Sequence, residues 1–134
     1  MTTESSLPVK AIAFDALAIA LFALLARIAH NTPEMPLSFV GWLQTMWPFL
    51  LGAGLAWVVI VVMMAPTPAS PAAMPAGFGF RTGAVVWVLS VAAGLTIWGM
   101  VHGAVPHWSF MLVATLMSGL LIMGWRALAS FRRR

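Results

Sequence analysis

Four long apolar segments, separated by short polar or proline-rich breaks, constrain this chain more than any other feature. They cover about residues 9–29, 44–65, 82–101 and 108–130. Each is long enough to cross the hydrocarbon core of a bilayer as a helix, at about 1.5 Å per residue. Membrane β-strands are excluded, because they alternate in polarity over about ten residues and these segments are apolar on every face. The pattern predicts an all-α, four-helix transmembrane bundle in a single domain.

Composition excludes a water-soluble fold. Apolar residues make up 62% of the 134 residues and charged residues 7%, whereas a soluble domain has about 45–50% and about 25%. So few charged side chains cannot cover a core of this size with a water-soluble surface. The chain also has no Cys, which excludes disulfides and thiolate metal sites.

The distribution of Lys and Arg predicts the orientation of the bundle. With a cytoplasmic N-terminus, six of the seven basic residues fall at cytoplasmic ends and only Arg27 falls at an external end. Basic residues favour the cytoplasmic side of membrane helices. We therefore expect an inner-membrane protein with both termini in the cytoplasm and a mobile, proline-rich cytoplasmic loop over 66–81. Because the charge adjoins apolar segments, membrane lipid is the expected partner and nucleic acid is not.

Pro48 influences where the second span is expected to begin. Proline is tolerated in the first turn of a helix and disrupts a helix further in. We therefore expect the span to start between Gln44 and Pro48, with residues 37–43 at the membrane interface. A longer, kinked helix is the alternative.

Two further patterns concern packing. A weak internal repeat would fit two tandem parallel hairpins; its halves are His30, Pro36 and Ser38-Phe39, and His102, Pro106 and Ser109-Phe110. Small residues four apart favour close helix contacts, and they occur as Gly52 with Ala56, Ser90 with Gly94, and Thr115 with Gly119. Most of the Trp residues are expected at the membrane interfaces, with Trp57 deeper in the core.

Asp15 lies inside the predicted first span and is the most informative residue. A carboxylate there is expected to face the bundle and to be paired or protonated. Arg126 falls at about the same depth and is the expected partner, with Arg81 as the second choice and Thr82 or Trp125 as further hydrogen-bond donors. Two interpretations stay open: the pair fixes the helices, or Asp15 is a proton or cation site that releases its partner during transport.

A polar cluster is predicted at the external side. Its members are Arg27, His30, Glu34, His102 and His107. Histidine and carboxylate side chains can form a metal site or a pH-sensitive patch. However, His102 and His107 are five residues apart and do not form a helical pair, so we expect solvated interfacial side chains and no metal. Arg27 is expected to act as an anchor or to pair with Glu34 or His30.

No catalytic motif is present in the sequence: it lacks a nucleophile elbow, a phosphate-binding glycine loop and a plausible Ser-His-Asp set. We expect neither an enzyme nor a cofactor. Few polar residues are available to line a path, which favours an accessory or lipid- or apolar-ligand-binding membrane protein. The alternative is a small oligomeric transporter or proton- or cation-linked permeation module that uses Asp15. A homo-oligomer or a larger membrane assembly is an expected partner in either case.

Several short motifs resemble a known family. They are Asp15-Ala-Leu-Ala, Trp47-Pro48-Phe49, Arg81-Thr82-Gly83, Ser109-Phe110 and Gly124-Trp125-Arg126. The chain resembles, over about residues 11–128, an actinobacterial and haloarchaeal family of small four-span membrane proteins classed as a domain of unknown function. The resemblance implies a multi-pass membrane protein without an assigned activity. The family pattern often has an Arg at the end of its third segment, where this chain has Trp98-Gly99-Met100.

Overall fold

The computed structural model describes residues 7–30, 33, 36–69 and 76–132. These ranges form helices and no strand. The helices are α1 (Val9–Ala29), α2 (Phe39–Met64), α3 (Phe80–His102) and α4 (Trp108–Arg132). Each of them is long and apolar enough to cross a membrane. The predicted all-α, four-helix transmembrane bundle is therefore confirmed.

Helix α2 begins five residues earlier than predicted, at Phe39 and not at Gln44. The side chain of Ser38 accepts a hydrogen bond of 2.9 Å from the Gly41 N–H and caps the helix. Such a cap satisfies one of the free N–H groups of the first turn and sets the start of the helix. Pro48 consequently lies inside α2. The prediction that the span starts between Gln44 and Pro48 is wrong, and the longer helix is the correct alternative.

The connection between α3 and α4 is short. Gly103 ends α3 in a left-handed conformation, with φ of +63°, and its N–H donates to the Gly99 carbonyl. His107 precedes α4, and its Nδ1 accepts a hydrogen bond of 3.1 Å from the Ser109 N–H. Ser38 caps α2, whereas Ser109 lies within α4. The weak sequence repeat therefore does not extend to equivalent helix caps.

The four helices form a ring in which α1 packs on α2, α2 on α3, α3 on α4, and α4 on α1. Asp15, early in α1, contacts Trp57, late in α2, and Arg27, late in α1, contacts Thr45, early in α2. Successive helices thus run in opposite directions, and the two hairpins point the same way. We call the two ends of the bundle the Asp15 end, where α1 begins, and the Arg27 end, where α1 finishes.

Glycines allow the helices to approach closely. A Cβ atom on Gly52 would lie 2.7 Å from the Cα of Ser90, so α2 and α3 are in direct backbone contact there. Gly94 of α3 faces the ring of Phe49, and a Cβ at that position would overlap the ring. Across the α3–α4 contact, a Cβ on Gly119 would lie 2.6 Å from the indole of Trp87. These glycines belong to the small residues that were predicted to mark contact faces.

Aromatic side chains occupy the middle of the bundle and its helix contacts. Phe22 and Phe49 are fully buried, and their rings meet edge to face with centroids 4.9 Å apart. Trp42 of α2 donates to the Ala20 carbonyl of α1 at 2.9 Å. Trp87 of α3 donates to a carbonyl of α4 at 2.8 Å. The indoles of Trp42 and Trp87 therefore link neighbouring helices, a role that an interfacial location alone does not require.

The end of the loop before α3 is folded into the Asp15 end of the bundle. Gly77 is buried, has a φ of +87°, and contacts Trp57. Phe78 packs edge to face on Trp125, with ring centroids 5.2 Å apart. The prediction of an extended mobile linker over 66–81 is therefore wrong for this part, because glycine permits a turn that brings its backbone against the bundle. Residues 70–75 lie outside the described part of the chain.

Candidate functional site

The buried carboxylate of Asp15 is the centre of the candidate site. The Asp15 side chain is 0% exposed. Arg126 binds it with two parallel contacts, Nη1 to Oδ1 at 2.7 Å and Nη2 to Oδ2 at 2.9 Å. The indole of Trp57 donates to Oδ2 at 3.0 Å, and that of Trp125 donates to Oδ1 at 2.9 Å. Each carboxylate oxygen therefore accepts two hydrogen bonds.

Arg126 also contacts two backbone carbonyls and an aromatic ring. Its side chain is 1% exposed. Nε donates to the Gly77 carbonyl and Nη1 also donates to the Ile122 carbonyl, both at 3.1 Å. The guanidinium carbon lies 4.3 Å from the ring centroid of Trp125, a cation–π geometry. Gly83 of α3 leaves space for this side chain, since a Cβ there would lie 2.8 Å from the Arg126 Cδ.

The chemistry of this arrangement is that of a saturated ion pair. An ionised carboxylate has about four acceptor positions, and four donors fill those of Asp15. The paired N–H groups of Arg match the two oxygens of a carboxylate, which gives strong and directional hydrogen bonds. Every nitrogen of the Arg126 guanidinium also has a partner within the protein. The pair therefore joins α1, α2, α4 and the Gly77 turn at one point.

The structure brings together only part of the predicted set around Asp15. Arg126 and Trp125 contact the carboxylate, as expected from their depth. Arg81 lies exposed in the first turn of α3, and Thr82 is not among the Asp15 donors. Trp57 takes the remaining donor position and was not predicted as a partner. Counting from the helix ends could have found it, because Trp57 lies about as far from the end of α2 as Asp15 lies from the start of α1.

A second buried charge lies at the Arg27 end. Arg27 is 6% exposed. Its Nε donates to the Thr45 Oγ1 at 2.7 Å and its Nη1 donates to the Pro36 carbonyl at 3.3 Å. Gly41 makes room for the guanidinium, since a Cβ there would lie 3.0 Å from Nη1. Both acceptors are neutral, and within the described residues the ion pair found is that of Asp15 with Arg126.

The histidines of the predicted external cluster have separate surroundings. His102 is exposed and stacks on Trp98, with ring centroids 4.0 Å apart. His107 is exposed next to the start of α4. The Nε2 atom of His30 is buried and has no hydrogen-bond partner among the described residues. Glu34 lies outside the described residues. In the described ranges, no three His, Asp or Glu side chains are close enough to hold a metal ion.

Comparison with known proteins gives a family and no assigned activity. No curated protein and no solved structure matches this chain. One family model, described as a protein of unknown function (DUF3054), matches residues 12–129. That match includes all of the residues that bind Asp15 and most of the four spans. The chain is therefore a member of the DUF3054 family of proteins of unknown function.

Proposed function

We propose that the protein is an accessory membrane protein that binds lipid or another apolar ligand, without catalysis and without ion transport. The saturation of Asp15 carries this proposal: both oxygens accept two hydrogen bonds inside the bundle and the side chain is 0% exposed. A carboxylate that carries a proton or cation needs an approach from a water-filled cavity. The Arg126 guanidinium occupies the position beside the Asp15 oxygens that a proton or cation would take. This arrangement favours a structural role.

A shallow, largely open apolar groove at the Arg27 end is the feature that supports ligand binding. Its volume is about 530 Å³ and it opens on the outer face of α3 and the connection to α4. The hydroxyl of Thr96 donates to the Ala92 carbonyl at 2.7 Å, so it offers little polarity to a ligand. The groove is lined by Leu95, Thr96, Gly99, Met100, Gly103, Ala104, Val105 and Pro106. Such a lining suits an acyl or isoprenoid chain more than a hydrated ion.

The outer surface of α3 supports the accessory role. In the 18-residue apolar stretch of each helix, only 17% of the residues of α3 are buried inside the bundle, against 39% for α1 and for α2. Helices in lipid associate through close van der Waals packing, so this surface is available to lipid, to a second copy of the chain or to a larger membrane assembly.

Charge supports a cytoplasmic location for the Asp15 end. Lys10, Arg81, Arg126 and Arg132 lie near the helix termini at this end. Basic residues favour the cytoplasmic side of bacterial membrane helices. Both termini are then cytoplasmic in an inner-membrane protein.

Flux measurements test the proposal against transport. Purified protein is reconstituted in liposomes that contain a pH-sensitive or cation-sensitive dye, and a gradient is imposed. We expect the flux to equal that of empty liposomes, and Asp15→Asn to lower stability without changing flux. Arg81→Gln, at an exposed site, is the matched control. A protein-dependent flux that a folded Asp15→Asn variant abolishes would establish the transporter alternative instead.

Native mass spectrometry of the purified protein tests ligand binding. We expect an apolar ligand or lipid to stay bound through detergent purification. Thr96→Trp fills the groove and should lower the bound fraction, whereas Leu55→Trp, at an exposed position on α2, should leave it unchanged. Equal retention in both variants would contradict binding in the groove.

A further inference from the structure

We propose that Arg27 binds a phosphate group of membrane lipid at the Arg27 end of the bundle. This inference rests on the proposed lipid-binding function and adds a phosphate site to the apolar groove. The groove on α3 suits an apolar chain, whereas Arg27 and Thr45 form a separate polar site between α1 and α2.

The first step is the charge of Arg27. The side chain is 6% exposed, and its acceptors are a Thr hydroxyl and a backbone carbonyl. A buried guanidinium without a counter-ion is unfavourable, because neutral acceptors do not replace the solvation of its charge. Arg126, with 1% exposure, is paired with the Asp15 carboxylate. Among the described residues, Arg27 is thus a buried cation for which no anionic partner is found.

The second step concerns the donors that remain. The guanidinium of Arg27 carries five N–H groups, of which those on Nε and one on Nη1 donate to the protein. No described residue accepts a hydrogen bond from Nη2. The hydrogen bonds found for Arg27 within the described residues thus leave Nη2 and one N–H of Nη1 for a further acceptor. The free N–H groups of Nη1 and Nη2 together match two oxygens of a phosphate.

The third step is position. Arg27 lies in the last turn of α1, two residues before Ala29, and therefore about 3 Å from the end of the helix along its axis. A helix of 21 residues spans about 31 Å, close to the thickness of the hydrocarbon core. The guanidinium is thus at the level of the lipid headgroups. Gly41 leaves space for the guanidinium, because the Cβ of any larger residue would lie 3.0 Å from Nη1.

The acidic residues of the chain supply one rival counter-ion. The sequence contains Glu4, Asp15 and Glu34. Asp15 is bound by Arg126, and Glu4 precedes α1 in the sequence, 23 residues before Arg27. Glu34 is the remaining acid, and it lies outside the described residues. Pairing of Arg27 with Glu34 is therefore the alternative that the experiment must separate from lipid binding.

The test measures binding of lipids by native mass spectrometry of the full chain in a neutral detergent. The protein is titrated with phosphatidylglycerol and with diacylglycerol of the same acyl chains, which lacks the phosphate. We expect phosphatidylglycerol to bind more tightly. Arg27→Gln should weaken its binding by about tenfold or more, the size expected for lost charge-assisted hydrogen bonds. Arg81→Gln, at an exposed basic residue of the Asp15 end, should leave binding unchanged.

Two further variants keep the result interpretable. Thr45→Val preserves the charge of Arg27 but removes the acceptor of its Nε, so binding should weaken severalfold even if Arg27→Gln does not fold. Glu34→Gln should leave phosphatidylglycerol binding intact or strengthen it. If Glu34→Gln instead destabilises the protein as much as Arg27→Gln does, and the two lipids bind equally, Glu34 is the counter-ion and the proposal is wrong.

Inorganic phosphate separates the two sources of the ligand. If inorganic phosphate displaces phosphatidylglycerol from the protein only weakly, the lipid is the source of the phosphate group. If inorganic phosphate alone raises the unfolding temperature through Arg27 and the lipids do not differ, the site takes free phosphate and the lipid assignment is overturned. Binding of neither lipid would refute the lipid-binding form of the proposed function, on which this inference rests. Equal binding of both lipids, unaffected by Arg27→Gln, would leave that function standing and refute the phosphate site.

Discussion

Replacing Asp15 by Asn tests whether the buried ion pair holds the bundle together. Asn is nearly the same size, so the packing changes little. It has one acceptor oxygen and one NH2 group where Asp15 has two oxygens, and the NH2 group faces donors from Arg126 and from an indole. The Arg126 charge, 1% exposed, then lacks a counter-ion. Removing one partner of a buried pair costs about 3–5 kcal/mol, so the free energy of unfolding should fall by this amount.

A double-mutant cycle isolates the contribution of the pair. We expect Arg126→Gln alone to cost about as much as Asp15→Asn, because it leaves the carboxylate without its cation. The double variant should cost no more than either single change, which gives a coupling energy of about 3–5 kcal/mol. Unfolding is measured by circular dichroism during titration of mixed micelles with sodium dodecyl sulfate. Arg81→Gln is the control and should stay within about 0.5 kcal/mol of the wild type.

Two results would refute this reasoning. One is an Asp15→Asn variant within about 1 kcal/mol of the wild type, well below the cost of an unpaired buried charge. The other is an additive cycle, in which the double variant loses the sum of the two single losses. Either result would mean that the contact of Asp15 with Arg126 contributes little to holding α1 and α4 together.

Three smaller changes follow from the packing around this pair and are measured by the same unfolding titration. Trp57→Phe removes one hydrogen bond to the carboxylate and should cost about 1–2 kcal/mol; no loss would show that the bond is dispensable. Gly94→Ala should cost about 1–3 kcal/mol by crowding the buried Phe49 ring. Gly54→Ala is the control and should be neutral or stabilising, because a Cβ there would have nothing within 4 Å. Equal effects of the two changes would contradict the contact of Gly94 with Phe49. Gly77→Ala should cost at least about 1–2 kcal/mol, because it forces a residue with a Cβ into a left-handed conformation. Unchanged stability would contradict the left-handed conformation at residue 77.

Depth along the helices was the most informative quantity in the sequence. The length of the apolar segments predicted the four spans, and depth placed Asp15 level with Arg126, because both are about six residues from a helix terminus at the same end. The start of α2 was not predicted, because the expectation rested on keeping Pro48 within the first helical turn and did not use the cap that Ser38 provides. Proline is tolerated inside transmembrane helices, because neighbouring helices and side chains can satisfy the backbone groups that it frees.

Side-chain partners were harder to predict than helices. Trp57 is apolar enough to fill a core, and only its contact shows that the indole N–H is directed at Asp15. The Gly77 turn depends on a positive φ and on a carbonyl that accepts from Arg126, and a run of Pro, Ala and Gly gives no sign of either. Thr45 likewise resembles many helix residues until Arg27 is placed beside it.

The two buried arginines differ in a way that follows from their depth. Asp15 lies six residues into α1, about 9 Å along the helix axis, too deep for a lipid phosphate, so Arg126 requires a carboxylate from the chain. Arg27 lies about 3 Å from its helix end, where a phosphate can approach. We therefore expect the stability lost in Asp15→Asn to be the same in micelles with phosphatidylglycerol and with diacylglycerol. The loss in Arg27→Gln should be larger with phosphatidylglycerol, because only the wild type gains from the phosphate. A loss that does not depend on the headgroup would show that Arg27, like Arg126, is neutralised from within the protein.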